Sequence, residues 1–239
     1  MKSQYVLPIT IVIAGALIAG GVFLAGKGSV PTNGTTDGKV TVRPYTPGVD
    51  HILGNPNAQV KVIEYMDLEC SHCKIFNDTM HLIMKYYGES GKVAWVQRPF
   101  PLTQIHSKAA QEAYAAECAA AQGGDTAYFA YTDRIFEITP SDNGLDLTQL
   151  PVIAKDVGLN VDTFNACMKE DTFNDKIQTS YNEAIAAGAQ GTPFTVLMVG
   201  SDSVVLNGAQ PYDSMRAAID AVLGEEITPP STTGTTTTQ

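Results

Sequence analysis

Basic residues are scarce in this 239-residue chain: 15 Lys and Arg stand against 25 Asp and Glu, a formal charge of −10. The whole excess falls between Pro56 and Leu223, where 11 basic residues face 21 acidic ones, so the flanks are neutral. An acidic domain repels phosphate backbones, which removes nucleic acid from the expected partners. The chain also lacks a Gly-rich phosphate loop, a dinucleotide fingerprint and a His-Glu-x-x-His helix. Cysteine is limited to four residues, histidine to four and tryptophan to one. What chemistry there is must come from a few side chains.

The one long apolar run is N-terminal. Tyr5 to Gly26 holds 22 residues without a charge, between Lys2 and Lys27. As a helix it measures roughly 33 Å, enough for a bilayer core of about 30 Å. It predicts a transmembrane anchor over residues 1–27, with a cleaved secretory signal ending near Ala19-Gly20-Gly21 as the alternative. Residues 28–55 are rich in Thr, Gly and Pro and read as a polar linker; 224–239 is a Thr-rich tail expected to be disordered. Between them, 56–223 is long enough to bury its own core.

Gln59 to Met66 is a β-branched and aromatic run of the kind that fills a central strand. It leads through Asp67-Leu68-Glu69 into Cys70-Ser71-His72-Cys73, and then into a helical pattern with Phe76, Met80, Ile83, Met84 and Tyr87 at steps of three and four. Two cysteines three apart at a helix start share one face, at a separation that a disulfide can span. The helix N-terminus offers unpaired N–H groups to a thiolate, so Cys70 is the expected thiolate and His72 adds a donor beside it. Half of a structural zinc site, or a chance pairing, is the bland alternative. Such a site needs four ligands, and the other cysteines, Cys118 and Cys167, are isolated within helical stretches.

From Asn55 to Cys73 the sequence resembles the active-site segment of the DsbA-like thiol-disulfide oxidoreductases of the thioredoxin superfamily. Arg98-Pro-Phe-Pro-Leu102 with His106, and Gly191-Thr192-Pro193 before an apolar strand, extend the resemblance to about Asn55–Leu223. It implies an α/β thioredoxin fold, β-α-β then β-β-α, with a helical domain inserted at about 104–188. It also implies that Glu64 is a buried acid beneath Cys73, that Pro193 is cis and faces the dithiol, and that the Thr192 backbone pairs with substrate. Burial is expected to raise the pKa of Glu64, which could then relay a proton to or from Cys73; an edge-strand Glu facing solvent is the alternative. A structural disulfide between Cys118 and Cys167 is the economical pairing in an exported domain, two buried free thiols being the alternative. His106 is expected to cap or pack, Trp95 to fill the core, and His51 and His81 to lie on the surface.

The function expected is introduction of disulfides into exported proteins that carry free thiols, by a monomer anchored in the cell membrane with its domain outside the cytoplasm. A quinone-linked membrane oxidase would restore the Cys70–Cys73 disulfide. No cofactor and no metal is expected. A reductase or isomerase working through the same residues is the near rival, since Ser71 departs from the Pro of the best-known oxidase motif. A membrane-tethered copper(I)-binding module is the rival of another class.

Overall fold

The computed structural model describes residues 40–224. The expected anchor, the first part of the expected linker and the tail beyond Gly224 lie outside the described residues. No helix among the described residues is long and apolar enough to cross a membrane.

Among the described residues five strands form one mixed sheet in the order β1-β3-β2-β4-β5: β1 His51–Gly54, β2 Val60–Met66, β3 Val93–Pro99, β4 Phe194–Val199 and β5 Asp202–Asn207. Only β2 and β3 run parallel, because helix α1 (Ser71–Tyr87) crosses between them. The expected β-α-β and β-β-α halves are both present, the second closed by a helix over Tyr212–Leu223. Between them stand α2 (Ala109–Ile138), α3 (Leu150–Asp156), α4 (Val161–Cys167) and α5 (Asn174–Ala186), so the closing helix is α6. Helix α2 is broken at Gly123 and Gly124, whose backbone leaves the helical region; Gly124 has φ +63°, which glycine adopts without cost.

Alternation along β2 and β3 divides the interior into two cores. Val60, Val62 and Met66 with Val93 and Trp95 face α1, α2 and α6. Ile63 and Tyr65 with Ala94 and Val96 face the other side, where Ala184 of α5 packs. Glu64 keeps phase with Val62 and Met66, so a period of two delivers a carboxylate to the core beneath α1. In α1, buried Cys73, Phe76, Met80, Ile83 and Tyr87 form the stripe that seats the helix on the sheet.

The domain begins earlier than the expected boundary at 56. Strand β1 extends the sheet beside β3, and Val42 is buried. The physical reason lies in Arg98, which is 1% exposed and needs anions. Both oxygens of Asp50 accept from its guanidinium at 2.9 Å, and Tyr65 and Glu183 receive Nη1 at 2.9 and 3.1 Å. The carbonyls of Arg43 and Pro44 take Nη2. Residues 43–50 therefore complete the polar satisfaction of a central strand, which Pro- and Gly-rich composition does not reveal.

Candidate active site

Cys70 is the residue just before α1, with extended backbone angles and no side-chain cap on the helix end. The first-turn N–H groups are thus left to its sulfur. Cys70 is 7% exposed and Cys73 fully buried, and both are free thiols. The Cys70 thiol donates to the Thr192 carbonyl at 3.5 Å, and Thr192–Pro193 is cis. The Pro193 carbonyl is taken by the Gly208 N–H at 3.0 Å. A pocket of about 370 Å³ opens beside this loop, lined by Gln190, Gly191, Thr192, Pro193 and Asn207 among others.

The two sulfurs differ sharply in acidity. A hydrogen bond from Cys73 holds the Cys70 pKa down, against the cost of burial, at about 5. The Thr192 hydroxyl adds to this without reaching hydrogen-bond distance, as do the backbone N–H groups of Cys73 and His72. Burial pushes Cys73 well above the ordinary thiol range, and the Cys70 and Glu64 charges push it further. The expected part for His72 changes here. Its side chain is exposed, and its contribution to Cys70 is its backbone N–H.

Glu64 is 1% exposed, and burial raises its pKa to about 8. The Trp95 indole N–H donates to Glu64 Oε2 at 2.8 Å, so the residue expected only to fill the core belongs to the site as well. A pair of buried acids, missed in the sequence, adjoins the dithiol turn. Glu69 and Glu112 are both fully buried, and burial together with Glu69 raises Glu112 to about 9. Asp67 is committed elsewhere: it accepts from the Glu69 and Leu102 N–H groups and lies 2.9 Å from His106 Nδ1. Although burial opposes it, Asp67 raises the His106 pKa above its ordinary value. His106, expected to cap or pack, is thus buried and paired with Asp67.

A loop over 139–145 closes on this turn. Ser141, Asp142 and Asn143 all have positive φ, a strained run for side-chain-bearing residues. Asp142 N–H donates to the Glu69 carbonyl at 2.8 Å and Gly144 N–H to Glu69 Oε2 at 3.2 Å, while Lys108 ties the loop to α2 through the Asn143 and Leu145 carbonyls.

Cys118 and Cys167 are bonded, joining α2 to the end of α4 across 49 residues. The expected surface position of His51 is corrected. It is 7% exposed, stacks on Tyr128 at 3.7 Å and lies 3.0 Å from Glu117, because β1 folds against α2. His81 is half-buried on α1, 2.7 Å from Asp133. Among the described residues no group of three or more His, Cys, Asp or Glu is placed to hold a metal ion.

A sequence model of the thioredoxin family matches residues 46–221. Among solved structures, DsbA2 of Pseudomonas aeruginosa superimposes with a TM-score of 0.62 at 25% identity, over 77% of this chain and all of that one. Alpha-DsbA1 of Wolbachia pipientis gives 0.63 at 26%, over 75% of this chain and 93% of that one. The Na(+)/H(+) antiporter NhaA of Herminiimonas arsenicoxydans is 28% identical over 150 residues, 63% of this chain but 22% of the antiporter. The chain therefore spans about a fifth of the length of the curated relatives it matches.

Proposed function

Because the chain belongs to the thioredoxin family, and its described domain is that of a thiol-disulfide oxidoreductase, we propose that it works as an oxidase, introducing disulfides into exported proteins with free thiols. The observation that carries this reading is the unequal pair: a Cys70 stabilised as thiolate at the start of α1 over a fully buried Cys73. Stabilising the reduced form makes the disulfide oxidising and makes Cys70 a good leaving group.

In the reaction, a substrate thiolate attacks Cys70 Sγ and the Cys70–Cys73 bond breaks. Cys73 leaves with the electron pair and takes up a proton, for which Glu64 is the nearby acid. A second substrate thiolate then attacks the substrate sulfur of the mixed disulfide. The substrate disulfide forms and Cys70 leaves with the bonding electron pair as a thiolate, which its low pKa keeps ionised at neutral pH. Thr192 and the cis-Pro193 loop would receive the substrate backbone, with the adjoining pocket beside it. Reoxidation would fall to a quinone-linked membrane oxidase, with the domain held outside the cytoplasm by the apolar segment at residues 5–26.

Equilibration of the full chain with glutathione, read by alkylation of Cys70, tests the direction. A potential near −120 mV is expected; one near −270 mV, as in cytosolic thioredoxin, marks a reductase instead.

A further inference from the structure

We propose that Trp95 is a positioning residue for proton transfer at Cys73, its indole N–H fixing one oxygen of the Glu64 carboxyl beneath the dithiol. The inference rests on the reading that Cys70 and Cys73 cycle between dithiol and disulfide.

Trp95 is the only tryptophan of the chain and is fully buried, with Nε1 2.8 Å from Glu64 Oε2. Its ring is wedged between two elements. Phe129 of α2 tilts against it at 5.2 Å, and His81 of α1 meets it edge-on at 5.5 Å. The indole is therefore held by the insertion on one side and the active-site helix on the other. Gln97, the register partner of Glu64 on β3, adds a weaker attraction from beyond hydrogen-bond distance.

The other titratable groups that act on Glu64 or feel its charge are Cys70, just before α1, Cys73 of α1 and Tyr128 of α2; His81 and its partner Asp133 stand behind the indole. A cation in this position would fix Glu64 as an anion, and an apolar wall would fix it as an acid. A neutral N–H donor does neither, leaving a carboxyl that can gain or lose a proton near neutral pH, as the value of about 8 also indicates. When the disulfide opens, Cys73 leaves with the bonding pair and accepts the Glu64 proton. When it closes, the Cys73 proton returns to Glu64 as Cys73 attacks Cys70, and the electron pair of the Cys70 mixed disulfide departs on the other thiolate.

The test compares the full chain with Trp95→Phe and Glu64→Gln. The rate of disulfide closure by oxidised glutathione is followed from pH 6 to 10, and the Glu64 carboxyl is followed by carbon NMR. Removing a donor from the ionised carboxyl raises its pKa, so Trp95→Phe is expected to move both the Glu64 titration and the rising limb of the rate upward by roughly one pH unit. Glu64→Gln is expected to remove that limb. If Trp95→Phe does not fold, indole fluorescence of the reduced wild type decides. A transition near pH 8 that disappears in Glu64→Gln and survives His81→Gln supports the proposal. Unchanged midpoints in folded Trp95→Phe, or no Glu64-dependent fluorescence transition, overturn it. Failure of the wild type to cycle at all overturns the oxidoreductase reading instead.

Discussion

Helices α1 and α4 each stand beside one of the two cysteine pairs, and they begin in opposite ways. Helix α4 starts from Asn160, whose side chain accepts the Thr163 N–H at 2.8 Å, and ends at Cys167 bonded to Cys118. Helix α1 starts from Cys70 itself, with no side-chain cap. At α4 the exposed N–H is satisfied by an amide and the sulfur sits at the far end, where the helix dipole offers a thiolate nothing. At α1 the donors are kept for the sulfur. The surroundings diverge in the same sense. Glu64, the Glu69–Glu112 pair and Thr192 crowd the first pair, whereas the second closes a long loop between helices. Identical side chains become a redox couple or a staple according to which unsatisfied groups the fold leaves beside them.

The largest expected effect breaks the first pair. Cys70→Ala should abolish exchange with a dithiol peptide while the domain still unfolds cooperatively, at a midpoint lowered near neutral pH relative to the reduced wild type by loss of the thiolate's contribution. Cys73→Ala should instead accumulate mixed disulfides on Cys70, visible on non-reducing gels and lost on reduction. Retained turnover in Cys70→Ala would remove the dithiol from the mechanism. Breaking the second pair should reverse the pattern. Cys118→Ala with Cys167→Ala frees a loop whose closure is worth about 4 kcal/mol in the chain-entropy model, so denaturant unfolding should show a loss of that order. The pH midpoint of Cys70 alkylation should stay near 5.

Much of this contrast was legible in the sequence, and what was not has a common cause. The spacing of Cys70 and Cys73, the apolar alternation of β2 and the stripe on α1 are local patterns, so the strand, turn and helix could be read from them. Glu64 was legible because its phase in β2 is set by a period of two. Trp95 and Glu112 were not, because each meets its partner only after β3 or α2 has docked: 31 residues separate Glu64 from Trp95. Residues 43–50 hid for a similar reason. Their composition is that of a linker, and their purpose is set by Arg98, 48 positions after Asp50. Asp142 and Asn143 are turn formers that announce a loop, but not that it closes over Glu69.

The acids sharpen the comparison through pH. Glu64 has a folded pKa raised from 4.5 to about 8, so the folded state binds its proton more tightly than the unfolded chain does. Its contribution is fully present below pH 4.5 and is lost as pH rises toward 8. Cys70 has the opposite sign. Lowered from 9 to about 5, it adds stability to the reduced form above pH 9 that is lost as pH falls toward 5. Across pH 5 to 8 the two slopes oppose each other in the reduced protein. With the disulfide closed Cys70 no longer titrates, and stability should fall more steeply with pH over that window. Glu64→Gln should flatten this fall, measured by urea unfolding of the oxidised protein at pH 5, 6.5 and 8. A slope unchanged by the substitution would mean that Glu64 is ionised in the folded state.

The smallest effect tests the other helix start. Asn160→Ala removes the amide that accepts the Thr163 N–H and should cost about 1 kcal/mol, the usual value of such a cap. With the Cys118–Cys167 bond intact, α4 remains tethered at its far end, so the loss should appear as faster amide exchange in the first turn of α4, with little change in the rest of the domain. In the Cys118→Ala, Cys167→Ala variant the same substitution should spread its effect through the whole helix. Equal effects in the two backgrounds would show that cap and bridge act independently. The functional contrast with α1 would survive, but the staple would then act on the unfolded chain alone and not on local order in α4.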